Sequence, residues 1–246
     1  MDPISLNLDL IPAEFVERPN RFVSVAKLIE EAGQPIVKAH VPDPGRLKEL
    51  LLPGVRVLVE DHGEKASRKL RYTLHMVYSP EDGGKTLVSI NTQHPNRLVK
   101  GLLGDNKLPG YESYQLIKPE FTYGKSRLDF LLESPTGKKT LMEVKAVNLV
   151  VDETALFPDA PTVRGVRHIE ELTEALKDGY ESHIVFIIQR ADVKRFSPNH
   201  VTDPALADAL EKAMSAGVQV HAFCFELTPQ TYTFRGEVPV VLPVVV

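Results

Sequence analysis

The sequence predicts an α+β protein in two parts, a small β-barrel followed by a mixed α/β domain. Three observations carry this. The first third is a run of short alternating or β-branched segments with turn residues between them. After Asp82-Gly83-Gly84 the pattern changes to helix-sized and strand-sized segments in alternation. The 246 residues, 43% hydrophobic and 25% charged, suffice for two cores, and no repeat or low-complexity tract interrupts them.

In the first part, strands are expected near Asn7–Phe15, Phe22–Leu28, Ile36–His40, Val55–Glu60, Arg71–Tyr78 and Thr86–Ile90. Turn signals separate them: Arg18-Pro19-Asn20, Ala32-Gly33, Pro42-Asp43-Pro44-Gly45 and Pro53-Gly54. Arg46–Leu52 is the one helix-sized stretch, ended by Pro53-Gly54. Five or six short strands with one helix suit a small barrel, an OB-type barrel among the candidates. The break between the parts is placed at Asp82–Gly84, giving residues 1–83 and 84–246.

The second part opens with a short helix at Pro95–Leu103. Strands follow at Tyr114–Thr122, Ser126–Leu132 and Thr140–Val147. Thr162–Lys177 reads as a helix with Leu172, Ala175 and Leu176 on one side and Gly179 beyond its end. A strand at His183–Gln189, a helix at Pro204–Ala216 and a strand at Val218–Phe225 complete a mixed α/β order. The tail, Glu237–Val246, is free to pair within the sheet or across a homodimer.

Composition excludes several classes. A net charge of −4 argues against a uniformly basic DNA-coating protein, although local patches set phosphate affinity. The single cysteine, Cys224, allows no internal disulfide and no zinc site of several thiolates. The N-terminus has early acids and no basic-then-apolar leader. The longest apolar stretch, Val238–Val246, is broken by Pro239 and Pro243 and falls short of the ~20 residues of a membrane helix. A soluble cytoplasmic protein is expected. Gly84-Lys85-Thr86 and Gly124-Lys125-Ser126 resemble the end of a phosphate loop, but Ser79 and Pro119 stand where its first glycine is needed.

The chemistry concentrates in the second part. Tyr123-Gly124-Lys125-Ser126 is a natural hairpin turn. It sets Thr122 opposite Arg127, Phe121 opposite Leu128 and Glu120 opposite Asp129, with Cβ atoms about 5 Å apart. The next strand reads Leu141-Met142-Glu143-Val144-Lys145-Ala146-Val147, so Glu143 and Lys145 share a face. Charges inside an apolar strand are costly unless partnered. Clustered carboxylates repel, and a divalent cation relieves that repulsion; oxygen ligands favour Mg²⁺ or Mn²⁺. Glu120, Asp129 and Glu143 are therefore candidate metal ligands. Asp129, Glu143 and Lys145 are the candidate catalytic set, with Lys145 serving the attacking water of phosphodiester hydrolysis. A structural salt-bridge network is the other reading of the same residues.

Asp129 followed by Glu143-Val144-Lys145 on the next strand resembles the PD-(D/E)XK nuclease motif. Further motifs cover nearly the whole chain: Glu17-Arg18-Pro19-Asn20-Arg21-Phe22, His40-Val41-Pro42-Asp43-Pro44-Gly45-Arg46, Tyr123-Gly124-Lys125-Ser126-Arg127-Leu128-Asp129-Phe130, and Phe157-Pro158-Asp159-Ala160 with Arg164-Gly165-Val166-Arg167-His168. Together they resemble the sugar fermentation stimulation protein A family. Where that family's pattern usually has Val after the Asp-Ala pair, this chain has Pro161. The resemblance implies an N-terminal OB-type domain, a PD-(D/E)XK nuclease-like C-terminal domain and DNA binding. The family name refers to a sugar-metabolism phenotype and gives no reaction.

Basic residues supply candidate nucleic-acid contacts. Lys65, Arg68, Lys69 and Arg71 form the densest cluster, which reads equally as a solvated hairpin tip. Arg18, Arg21 and Phe22 combine charge with a ring that could stack or pack. Arg127 lies beside Asp129, and His40 and Arg46 flank the proline turn. Arg164 and His168 share a helix face at i,i+4, with Arg167 beside them near a helix start that favours anions; surface salt bridges are the alternative. Gln189-Arg190 is read either as support for the metal site or as a strand-end pair. The expected partner is nucleic acid, DNA ahead of RNA. The function expected is a Mg²⁺- or Mn²⁺-dependent nuclease, with a non-catalytic DNA-binding regulator linked to sugar metabolism as its rival.

Overall fold

The structure is a computed structural model that describes residues 1–64 and 68–242. Lys65 lies outside the described residues. In chain order the elements are β1 (Ile4–Ser5), β2 (Leu10–Asn20), β3 (Val23–Leu28), β4 (Ile36–His40), β5 (Arg56–Asp61), β6 (Tyr72–Tyr78) and β7 (Leu87–Ser89). Next come α1 (His94–Gly104), β8 (Gln115–Tyr123), β9 (Ser126–Glu133), β10 (Lys139–Val147), β11 (Leu149–Val151), β12 (Thr154–Phe157) and α2 (Val163–Ala175). The chain ends with β13 (Glu181–Ile188), β14 (Arg195–Pro198), α3 (Pro204–Ala216), β15 (Gln219–Leu227) and β16 (Thr231–Glu237).

Two compact units result. The first holds Met1–Gln93, Gln189–Asp192 and Cys224–Arg235; the second holds His94–Ile188, Val193–Phe223 and Gly236–Val246. The first unit thus runs past the break expected at Asp82–Gly84, because β7 pairs antiparallel with β6 through Val77↔Val88 and belongs to its sheet.

In the first unit, β4-β3-β2-β5-β6 are hydrogen-bonded in that order, and a parallel β4–β6 pairing, Ala39↔Tyr72, closes them into a five-stranded barrel of OB type. Alternation along β3 sends Ser24, Ala26 and Leu28 inward. Their partners in the core include Phe15, Val57 and Leu74. The helix expected at Arg46–Leu52 is absent. Leu47 takes a left-handed φ of 48°, which a helix cannot contain, and only one turn survives, with Leu51 N donating to the Leu47 carbonyl at 2.9 Å. Gln189 and Arg190 also belong to this unit. Gln189 is tied to Ser89 and Tyr232, and Arg190 is fully buried with both carboxylate oxygens of Asp192. Burial pushes the Cys224 thiol up to about 11, and its Sγ donates to the Arg190 carbonyl.

In the second unit, β10 pairs parallel with β13 from Thr140↔Glu181 to Val147↔Ile188, and β9 pairs antiparallel with both β8 and β10. One sheet face carries Leu141, Ile184, Phe186 and Ile188, and it is covered by Ile169, Leu172 and Ala175 of α2 and Leu206, Leu210 and Ala213 of α3. Both helices are capped. Thr162 Oγ1 accepts from Gly165 N, while Asp203 accepts from Leu206 N at the start of α3 and from Thr162 N at the start of α2. Gly165 lets α2 settle there: a Cβ on it would stand 2.7 Å from Thr162 Cγ2 and 3.0 Å from Leu206 Cδ1. A small sheet, β11-β12-β14, feeds the two helix starts. In the described part of the tail, Val240 forms an isolated bridge with Phe196. Among the described residues no helix is long and apolar enough to cross a membrane.

Candidate active site in the second unit

Asp129, Glu143 and Lys145 are positioned by β9 and β10. The antiparallel pairing of these strands ends at Met142↔Phe130. Beyond that point Val144 N has no strand partner on β9, and the Asp129 carboxylate takes its place: Oδ2 accepts from Val144 N at 2.8 Å. Oδ1 accepts from Asn96 Nδ2 of α1 at 2.6 Å. Burial, then the neighbouring Glu143 charge, push the Asp129 carboxyl up to about 6, against hydrogen bonds that pull the other way.

Glu143 is 4% exposed. It sits with Lys145 on the face under α2, where Leu141 and Val147 are core residues. Its Oε1 accepts from Lys145 Nζ and from His168 Nδ1, both at 2.5 Å. Burial alone would raise its pKa; Lys145 and His168 outweigh it and hold the carboxyl below the usual range. Its Oε2 is buried and accepts no hydrogen bond from the described residues. A buried carboxylate oxygen with no donor is costly. An oxygen left open beside a second carboxylate suits a hard divalent cation, so the residues present fit such an ion.

The hairpin has the expected register, Thr122↔Arg127 and Phe121↔Leu128. Glu120 nevertheless does not join the cluster. Its φ of 56° breaks the strand alternation. The side chain is exposed and pairs with Arg127 at 3.6 Å, a surface contact worth little. Among the described residues no group of three His, Cys, Asp or Glu side chains could hold one ion, so the expected cluster of Glu120, Asp129 and Glu143 does not form.

Two further expectations are corrected. His168, expected to touch nucleic acid, is 1% exposed and bonded to Glu143. It lies four residues before Leu172 on the buried stripe of α2, and that spacing was the available signal. Arg18, also expected at nucleic acid, spends its guanidinium on the carbonyls of Arg21, Asp43, Gly45 and Arg46, at 2.7–2.9 Å. It ties the hairpin end to the proline turn. Asn96 carries no sequence signal at all; its bond to Asp129 spans 33 residues, and nothing local announces it.

The other basic candidates stand as follows. Arg21, Arg46 and Lys69 are exposed on the first unit, as is Phe22 at 55%. Arg68 is exposed and bonded to His62 at 2.9 Å, and Arg71 pairs with Asp61. In the second unit Arg164 and Arg167 are exposed near the start of α2; Arg164 Nε donates to His168 Nε2 and Arg167 Nε to Ser126 Oγ.

Comparison with known proteins agrees with this architecture. Residues 16–90 match the model of the SfsA N-terminal OB domain, and residues 93–231 that of the sugar fermentation stimulation protein RE domain, a restriction-endonuclease-like unit. A sugar fermentation stimulation protein homolog of Desulforamulus reducens is 39% identical over 234 residues, covering 95% of this chain and 93% of that one. The homolog of Moorella thermoacetica is 40% identical over 239 residues, covering 97% of this chain and all of its own. The structure of Pyrococcus furiosus SfsA in complex with Ca²⁺ superposes with a TM-score of 0.85 at 33% identity, over 98% of this chain and 99% of that one. The barrel, the endonuclease-like unit and these full-length matches together place the chain in the sugar fermentation stimulation protein (SfsA) family.

Proposed function

We propose that this protein is a divalent-cation-dependent nuclease acting on DNA, with Asp129 and Glu143 as ligands and Lys145 as the catalytic cation. The observation that carries the reading is the buried Oε2 of Glu143, unpartnered among the described residues, beside the half-buried carboxylate of Asp129, with an ammonium 2.5 Å from Glu143. A structural salt bridge would satisfy Lys145 but leaves that oxygen unexplained. The Ca²⁺ bound by the Pyrococcus furiosus relative supports a divalent ion, with Mg²⁺ or Mn²⁺ as the working metal.

A cation held by this pair would supply Lewis acidity toward the scissile phosphodiester. The remaining roles fall to the chain itself. Asn96 and Val144 N hold Asp129 in place through one oxygen each. Lys145 Nζ, on the same strand face, is placed to orient an attacking water or steady developing negative charge. Arg164 and Arg167, exposed at the start of α2, supply phosphate contacts within the second unit, where the helix dipole also favours anions. Arg21, Arg46, Arg68, Lys69 and Phe22 offer charge and a stacking ring on the first unit.

The rival reading, a DNA-binding regulator without catalysis, draws on the loss of Glu120 from the cluster, which leaves two carboxylates rather than three. The deciding experiment incubates labelled single- and double-stranded DNA and RNA with Mg²⁺ or Mn²⁺, using wild type, Asp129→Ala and Lys145→Ala. Metal-dependent cleavage lost in both variants supports the nuclease. No cleavage by wild type, with DNA bound more tightly once Asp129 is removed, supports the regulator.

A further inference from the structure

Glu143 Oε1 receives two donors at 2.5 Å, Lys145 Nζ and His168 Nδ1, while Oε2 receives none among the described residues. The two donors differ in kind. Lys145 is a four-carbon chain, 15% exposed at its side chain, with freedom to swing. His168 is a ring on the packed stripe of α2, 2% exposed at its side chain. Its tautomer follows from its other neighbour. Arg164 can only donate, so His168 Nε2 accepts at 3.3 Å and Nδ1 carries the proton toward Glu143.

Lys145 also faces two demands. While its ammonium is bound to Glu143 it cannot serve an attacking water. If it leaves, something else must keep Glu143 oriented. We propose that His168 is the positioning residue for Glu143: it holds Oε1 permanently, leaves Oε2 for a divalent cation, and frees Lys145 to leave when that cation binds. Lys145 is then a stand-in for the cation's charge in the metal-free protein and a competitor of it, whereas His168 is its support. The inference rests on the metal-dependent reading above, and it assigns a role to a histidine outside the Asp129…Glu143-Val144-Lys145 pattern.

Because the two donors share one oxygen, their removal separates the roles. Ca²⁺ binding to the full chain is measured by calorimetry for wild type, Lys145→Ala, His168→Leu, His168→Asn and His168→Gln, with thermal melts of each. His168→Leu is expected to weaken Ca²⁺ binding by about ten- to a hundredfold, the usual effect of losing a group that orients a ligand. Asn, which carries an amide donor at the δ position, is expected to restore affinity. Gln, which carries it one bond further out, is not. Lys145→Ala is expected to bind Ca²⁺ at least as tightly as wild type.

A folded His168→Leu with wild-type affinity overturns the proposal, as does a Lys145→Ala that loses affinity as His168→Leu does. Should the Leu variant fail to melt cooperatively, the Asn–Gln contrast decides, and equal affinities overturn it. Wild type that binds no Ca²⁺ removes the metal-dependent reading and this inference together. Wild type that binds Ca²⁺ but cuts nothing removes the nuclease and leaves the role of His168 intact.

Discussion

Asp129 makes the metal affinity of this protein depend on pH in a window that can be stated in advance. Its carboxyl stands at about 6 in the folded chain against 3.8 for the free group. That difference of roughly two units means that burying the ionised form costs up to about 3 kcal/mol in the metal-free protein. The folded state therefore binds this proton more tightly than the unfolded state does. The stability it brings is fully present below pH ~4 and is lost as pH rises through ~6. A cation at Asp129 must displace the same proton. Glu143, held below the usual carboxylate range, stays ionised throughout the window and adds no second competition. Apparent Ca²⁺ affinity should be flat from pH 8 to 7, about tenfold weaker at pH 5, and about tenfold weaker again for each further unit of acid. Calorimetry in buffers of different ionisation enthalpy should also register about half a proton released per ion at pH 6. Affinity that does not change between pH 8 and 5, with no proton released at pH 6, would refute the reasoning, because Asp129 would then either titrate normally or not touch the ion.

Other consequences are simpler to test. Gly165→Ala forces a methyl into contact with Thr162 and Leu206 at 2.7 and 3.0 Å, so it should cost about 1–3 kcal/mol in thermal unfolding; an unchanged melting point would mean that the helix start gives way freely. Arg18→Ala removes the donor to four carbonyls and should destabilise the barrel by about 2–3 kcal/mol, with Lys a poor replacement because it lacks the planar fork; loss of DNA affinity without loss of stability would return Arg18 to the binding surface. Arg167→Ala should weaken DNA binding and lower the salt slope of log affinity by about one, measured by anisotropy between low and moderate salt; an unchanged slope would place Arg167 away from phosphate.

What could be read from the sequence, and what could not, divides along a physical line. Period-two alternation and one turn signal are local. They placed Asp129, Glu143 and Lys145 on β9 and β10 in the observed hairpin register, and the ranges expected for β4 and α3 are the observed ones. Alternation failed where the backbone left the strand region. The left-handed φ at Glu120 turned a facing carboxylate outward, and the left-handed φ at Leu47 broke an expected helix. The short strands β11, β12 and β14 carry too few residues for a period to show. The groups that orient the carboxylates come from other elements altogether, Asn96 from α1 and His168 from α2. Even so, energetics alone demands such groups. A carboxylate in the middle of an apolar strand must find donors, and Lys145 by itself leaves lone pairs over. A polar residue on the buried stripe of a helix faces the same demand from the other side. His168, four residues before Leu172, is such a residue, so the two unmet demands, one on β10 and one on α2, point to each other. Pairing buried groups that lack local partners, element against element, finds this contact where motif spacing does not.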